Sequence, residues 1–184
     1  MHDTSRRWAL RQHTAAAHAI IDAAVGGFDD LPSYRNYLIS AAAFRASIEA
    51  VLRGARWPAA FGDWRPKSVL AAINADLSDL GVAEPQRRIA ARPVAGDELF
   101  GAVYVLEGSA LGARVLLQRA LALGLSPTFG ARHLALQAES VDSWRQFLTR
   151  LEQAAPFDLE GALDGSTSAF AIAREAFAGE AARV

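Results

Sequence analysis

Leu99 to Leu123, LFGAVYVLEGSALGARVLLQRALAL, is the stretch whose reading decides the fold. It contains no proline, and its apolar residues recur with a helical period, which predicts one long helix starting near Asp97 and ending near Gly124. Gly101, Gly108 and Gly112 interrupt it. Relative to alanine they forgo roughly 2–3 kcal/mol of helix propensity. Residues seven and four apart share a side of a helix, so the three glycines are expected on one face, as a strip of bare backbone. Such a strip admits something flat, either another helix or a ligand.

Working outward, Ser5 is expected to cap a first helix that runs to about Val25 and stops at Gly26–Gly27. Pro32 or Ser33 opens a second, running to Gly54. An aromatic, proline-bearing connector from Trp57 to Pro66 leads to a shorter helix, about Ser68 to Leu80, stopped by Gly81. Residues 82–95 carry two prolines and a charged cluster and read as a loop. Beyond the glycine stretch, Ser126 to Gly130 is a turn. Val141 to Ala154 is a helix capped by Ser140 or a neighbour, and a last helix covers about Ser166 to Ala182. Nowhere do apolar and polar residues alternate with β-branched enrichment, so no sheet is expected. The expectation is an all-α chain of six or so helices around one core, with residues 1–184 forming a single domain.

The composition, 52% apolar and 21% charged, is globular, and a net charge of −1 leaves no basic excess to hold a phosphate backbone. With zero cysteines, disulfides and thiolate sites are ruled out. The opening residues MHDTSRRWALRQ lack the apolar core of a signal peptide. Uncharged runs such as Ala120 to Ala131 fall short of the ~18 residues of a membrane span, and Glu107, Arg114 and Arg119 interrupt the glycine stretch. A soluble, cytoplasmic protein without nucleic-acid or membrane partners is expected.

Four histidines, His2, His13, His18 and His133, are candidates for chemistry. His13 and His18, five apart, point about 140° apart on a helix and cannot grip one metal together. No His-Glu-x-x-His, Glu-x-x-His, Gly-x-Ser-x-Gly or phosphate-loop pattern occurs. One arrangement remains. Arg11 and His18, seven apart with the small Ala15 between them, share a face and lie ~10.5 Å apart along the axis. A single imidazole with a cation two turns away suits a haem, one nitrogen for the iron and one guanidinium for a propionate. The bare glycine face would then wall the other side. Taken singly, each feature has a plainer meaning: a half-buried histidine, a surface charge, a close helix crossing.

Leu10-Arg11-Gln12-His13-Thr14-Ala15-Ala16-Ala17-His18 resembles the first-helix segment of haem oxygenases, with a basic residue seven before and a threonine, Thr14, four before the proximal histidine. Tyr104 to Ala113, YVLEGSALGA, resembles their distal-helix signature. The resemblance implies a haem oxygenase-like helical bundle with a glycine-kinked distal helix. It implies His18 as the iron ligand, Arg11 as a propionate anchor, and Gly108, Ser109 and Gly112 on the distal, catalytic side. Thr14 and Tyr104 would lie at the cofactor, Tyr104 one step from the propionate-holding tyrosine of mammalian-type enzymes. A second basic anchor would come from Arg114, Arg145 or Arg150, and Phe170 would pack near the haem edge. Many members carry Asp where Ser109 stands; the serine resembles a bacterial branch. The implied reaction cleaves haem, at once cofactor and substrate, to biliverdin, carbon monoxide and iron. It uses oxygen and electrons from an external ferredoxin- or flavodoxin-type reductase system, and its pigment serves iron acquisition or a phytochrome. A haem-binding carrier or sensor of the same fold is the alternative. A third reading, from another class, is a helical interaction protein whose glycine face packs on a partner helix.

Overall fold

The computed structural model describes residues 5–83 and 89–181. His2, the charged cluster at 84–88 and the expected helix end at Ala182 lie outside them. The first helix, α1, spans Arg6–Val25; the Ser5 hydroxyl accepts from the Trp8 N–H, and the chain leaves through Gly26 at φ 57°. The second, α2, spans Leu31–Arg53. Its cap is Asp30 rather than Pro32 or Ser33. The Asp30 carboxylate accepts the Ser33 N–H at 2.8 Å, and the Ser33 hydroxyl accepts the Asp30 N–H at 3.3 Å, a reciprocal capping box. After the connector, in which Ala59–Phe61 forms one 3-10 turn, α3 spans Leu70–Asp79.

The glycine stretch is not one continuous helix. It divides into α4, Glu98–Gly108, a tighter 3-10 turn, Ser109–Gly112, and α5, Ala113–Ala122. The break falls where Gly108 and Gly112 lower helix propensity and where the Ser109 hydroxyl donates to the Leu106 carbonyl at 2.6 Å, competing for a helical acceptor.

A further helix, α6, spans Arg132–Ala138. Its N-terminus has no cap of its own. The Asp76 carboxylate of α3 accepts the N–H groups of both Arg132 and His133 at 3.0 Å, so the cap is supplied by another helix. Next, α7 covers Val141–Gln153, as its periodicity predicts, but the Ser140 hydroxyl donates back to Gln137 at 2.7 Å instead of capping.

The last helix, α8, runs Leu159–Ala181 and begins seven residues before Ser166. Gly161 and Gly165 look like breakers in sequence. Gly165, however, lets α8 press on α4: a Cβ there would sit 1.9 Å from the Glu98 carbonyl oxygen, and one on Gly101 would sit 1.8 Å from that of Ala162. Gly101 therefore serves a helix crossing and does not belong with Gly108 and Gly112.

Among the described residues there are eight α-helices and no strand, only isolated bridges from Ser126 to Phe129 and Gly130. One apolar core gathers α4, α7 and α8 around the stacked rings of Phe61 and Phe100, 4.3 Å apart. Another fills the space between α2, α3, α5 and α6. By length and mean hydropathy (1.4) Glu98–Ala122 would reach across a membrane, but 56% of that window is buried inside the fold, as befits a core element.

Candidate functional site

Between α1 and the glycine turn lies a cavity of about 970 Å³, at the upper end of the usual range for small-molecule sites. One wall is the face of α1 that carries Arg7, Arg11, Ala15, His18 and Asp22, residues spaced three and four apart. The opposite wall is Tyr104, Gly108, Ser109 and Gly112. A Cβ on Gly112 would meet nothing within 4 Å, and one on Gly108 would only graze Trp144 at 4.0 Å. These two glycines thus leave room for something that is not protein.

His18 is 61% exposed because its ring stands in this cavity. Its Nδ1 lies 2.8 Å from the Asp22 carboxylate. A carboxylate only accepts, so Nδ1 carries the proton and Nε2 is left with a free lone pair, the arrangement usual for a metal-binding imidazole. Phe170, buried, meets the His18 ring edge-on with centroids 6.3 Å apart. Asp22 was not singled out from the sequence, although His18-x-x-x-Asp22 at helical spacing is a legible signal. His13 points elsewhere, its Nε2 at 2.9 Å from the Thr167 hydroxyl.

At one end of the cavity Arg7 and Arg11 stand one turn apart on α1. Neither guanidinium has an ion-pair partner among the described residues. Burial pushes the Tyr104 phenol above its ordinary pKa, and the nearby charges of Arg7 and Arg11 oppose the rise. Thr14 lines the same wall but is buried, and its hydroxyl donates to the Leu10 carbonyl at 2.7 Å.

None of the three arginines expected as a second basic anchor lines the cavity. Arg114 does not line the cavity; its Nε donates to the Ala138 carbonyl at 3.3 Å, tying α5 to the end of α6. Arg150 also lies outside it, donating to the carbonyls of Phe61 and Gln146 at 3.3 and 3.0 Å and covering Trp64. Arg145 pairs with Asp142 at 3.2 Å on the surface. All three arginines are committed to tertiary ties or solvent. Arg7, unmarked in the sequence, is the second cation beside Arg11.

The other end of the cavity is polar and deep. Tyr37 and Arg45 reach it from α2, His133 and Gln137 from α6. His133 is wholly buried, with Nδ1 2.8 Å from Asp76 and Nε2 3.4 Å from the Tyr37 hydroxyl. Burial holds its pKa below the usual imidazole value, against the pull of Asp76. For Asp76 burial works toward a higher pKa, but the hydrogen bonds from His133 and Arg132 outweigh it and keep the carboxyl below its usual range. Burial likewise raises Glu107, whose Oε2 finds no hydrogen-bond partner, while Arg45 pairs with Glu49 at 3.8 Å.

The residues present fit a haem. Among the described residues no group of three or more histidines, cysteines, aspartates or glutamates is placed to hold a metal ion. A lone imidazole with a free Nε2 suits an iron that brings its own four equatorial nitrogens. Two guanidiniums without ion pairs, at one end only, match a ligand that is apolar across its body and doubly acidic at one edge.

No model of a known protein family matches the chain. An 84-residue segment is 39% identical to the haem oxygenase PigA of Pseudomonas aeruginosa; it spans 44% of this chain and 42% of that curated relative. The fold matches the crystal structure of the NO- and CO-bound haem oxygenase of Neisseria meningitidis with a TM-score of 0.77 at 26% identity, covering 95% of this chain and 93% of that one. The chain therefore shares the fold of a bacterial haem oxygenase almost end to end, with an imidazole facing bare backbone across its cavity.

Proposed function

We propose that the protein is a haem oxygenase that opens haem to biliverdin, carbon monoxide and iron with oxygen and externally supplied electrons. The observation that carries this is the opposition of His18, with Nε2 free, to the side-chain-free Gly108–Gly112 wall. When bound, haem supplies the iron that takes up oxygen and the ring that is oxidised. His18 would hold the iron through Nε2, with Asp22 keeping its ring in the Nδ1–H tautomer. Arg7, Arg11 and Tyr104 would hold the propionates of a bound haem. Gly108 and Gly112 leave bare backbone on this wall, so a bound ligand could approach it where a side chain would intrude. The Ser109 hydroxyl, donating to Leu106, turns only lone pairs toward the cavity and serves as an acceptor there. Phe44, Leu116 and Phe170 exclude bulk water from the remaining walls. The glycine turn between α4 and α5 is suited to opening, since product and substrate differ in shape. Electrons are supplied by an external donor of ferredoxin or flavodoxin type.

The test is purified protein with haemin and a reductant in air, followed by absorption. The loss of the haem bands with growth of a bile-pigment band and release of carbon monoxide is expected. Persistent haem bands would assign the protein to haem carriage without degradation.

A further inference from the structure

Ser109 cannot give a proton to the cavity, because its hydroxyl hydrogen is bonded to the Leu106 carbonyl. Four other polar side chains line the far end: Tyr37, Arg45, His133 and Gln137. A guanidinium does not release its proton and an amide does not titrate. Burial drives the Tyr37 phenol far above neutrality. His133 is the remaining group of the four. It belongs to α6, which packs against the Ser109–Gly112 turn and so lies on the glycine side.

We propose that His133, buttressed by Asp76 and paired with Tyr37, holds and releases the proton delivered on the glycine side of the cavity. The proposal deepens the haem oxygenase reading and rests on it for what receives the proton. Asp76 accepts both the His133 N–H, at 3.0 Å, and the ring Nδ1–H, at 2.8 Å, so the ring is fixed in position and tautomer. Nε2 is thereby aimed at the Tyr37 hydroxyl, whose ring stacks on the imidazole at 5.9 Å.

The step balances without a redox partner. A proton taken up at Nε2 leaves with its N–H electron pair staying on nitrogen; an O–H bond forms on the Tyr37 hydroxyl, whose own hydrogen passes to a water in the cavity. The neutral ring keeps Nδ1–H on Asp76 and is reprotonated at Nε2 from solvent. The charged and titratable groups around it are Asp76 and Asp79 from α3, Arg132 from α6, Tyr37 and Arg45 from α2, and Glu107 from α4 behind Arg45.

The experiment compares the full chain with Tyr37→Phe and His133→Gln. Tyr37→Phe keeps the ring that packs on Phe28 at 5.3 Å and removes only the hydroxyl, so it tests the pair even if the His133 variant is unstable. In the haem-free protein, 15N NMR of the His133 ring should show Nδ1 protonated, with the Nε2 resonance moving in Tyr37→Phe. With ferric haemin bound at unchanged affinity, the pH midpoint of the visible spectrum should move by about half a unit or more in Tyr37→Phe. Pigment formation should fall about a hundredfold. An Nε2 resonance and a midpoint that both stay put in Tyr37→Phe overturn the proposal. If the wild type makes no pigment, the oxygenase reading fails by itself, while the resonance and the midpoint still judge the pair.

Discussion

His18 stands exposed in the cavity on α1 and packs against little beyond the Phe170 edge, so its truncation should cost the fold almost nothing. His18→Ala is expected to keep its helical circular dichroism and thermal midpoint while losing the absorption spectrum of a histidine-ligated haem. An unchanged Soret band would remove His18 from the iron. Arg7 and Arg11 act at the same scale through charge. Replacing either by Gln removes one charge-assisted contact and should weaken haemin binding about tenfold, more at low salt than at high salt. Arg114→Gln and Arg150→Gln should leave haemin affinity unchanged, since these side chains are engaged with backbone carbonyls outside the cavity. The Arg11 and His18 spacing was legible because both lie on one helix. Arg7 lies on the same face, but nothing in the sequence separates a cavity arginine from a surface one. Arg114 and Arg150 fail for the same reason.

At the scale of elements the glycine stretch performs two tasks in one run of chain, and substitutions should separate them. Gly101→Ala forces a methyl group into the α8 backbone at Ala162, where neither helix can yield cheaply, and is expected to destabilise the protein by about 3 kcal/mol in chemical denaturation. Gly112→Leu meets open space and exchanges a poor helix former for a good one, so stability should hold or rise by about 1 kcal/mol. The same leucine enters the cavity, and haemin binding or turnover should fall steeply. A Gly112→Leu protein with normal pigment formation would refute the bare-wall account. From sequence the three glycines look equivalent, since an ideal helix places them on one side. They differ because the α4–α8 crossing takes one of them, and the 3-10 turn separates the other two from it.

Across the whole molecule, the α3–α6 junction links protonation to stability. Asp76 has a depressed pKa in the folded state, so its contribution is present at neutral pH and is lost as pH falls through that folded value, below the ordinary 3.9 or so. His133 is buried with a lowered pKa. The unfolded chain therefore takes up a proton first, from about pH 6.5 downward, and this also favours unfolding on acidification. Glu107, raised by burial, acts in the opposite direction and softens the decline. The thermal midpoint should fall between pH 7 and 4. Asp76→Asn should be less stable at pH 7 and show a flatter dependence below pH 4. A wild-type midpoint independent of pH over this range would contradict the buried Asp76–His133 pair.

The sequence by itself determined what depends on near neighbours along the chain: the all-helical character, the ends of α1 at Ser5 and Gly26, the shared face of Arg11 and His18, and the helical run of α7. These follow from local periodicity and capping, with an energy scale set within a few residues. Tertiary structure alone decided the rest. It supplied the α6 cap from Asp76, the early start of α8 and the role of Gly101 in a helix crossing. It set Arg7 beside Arg11 and brought Tyr37 to His133. Each of these depends on groups far apart in the chain that meet only once the helices have packed, and no local pattern records a partner some ninety residues away.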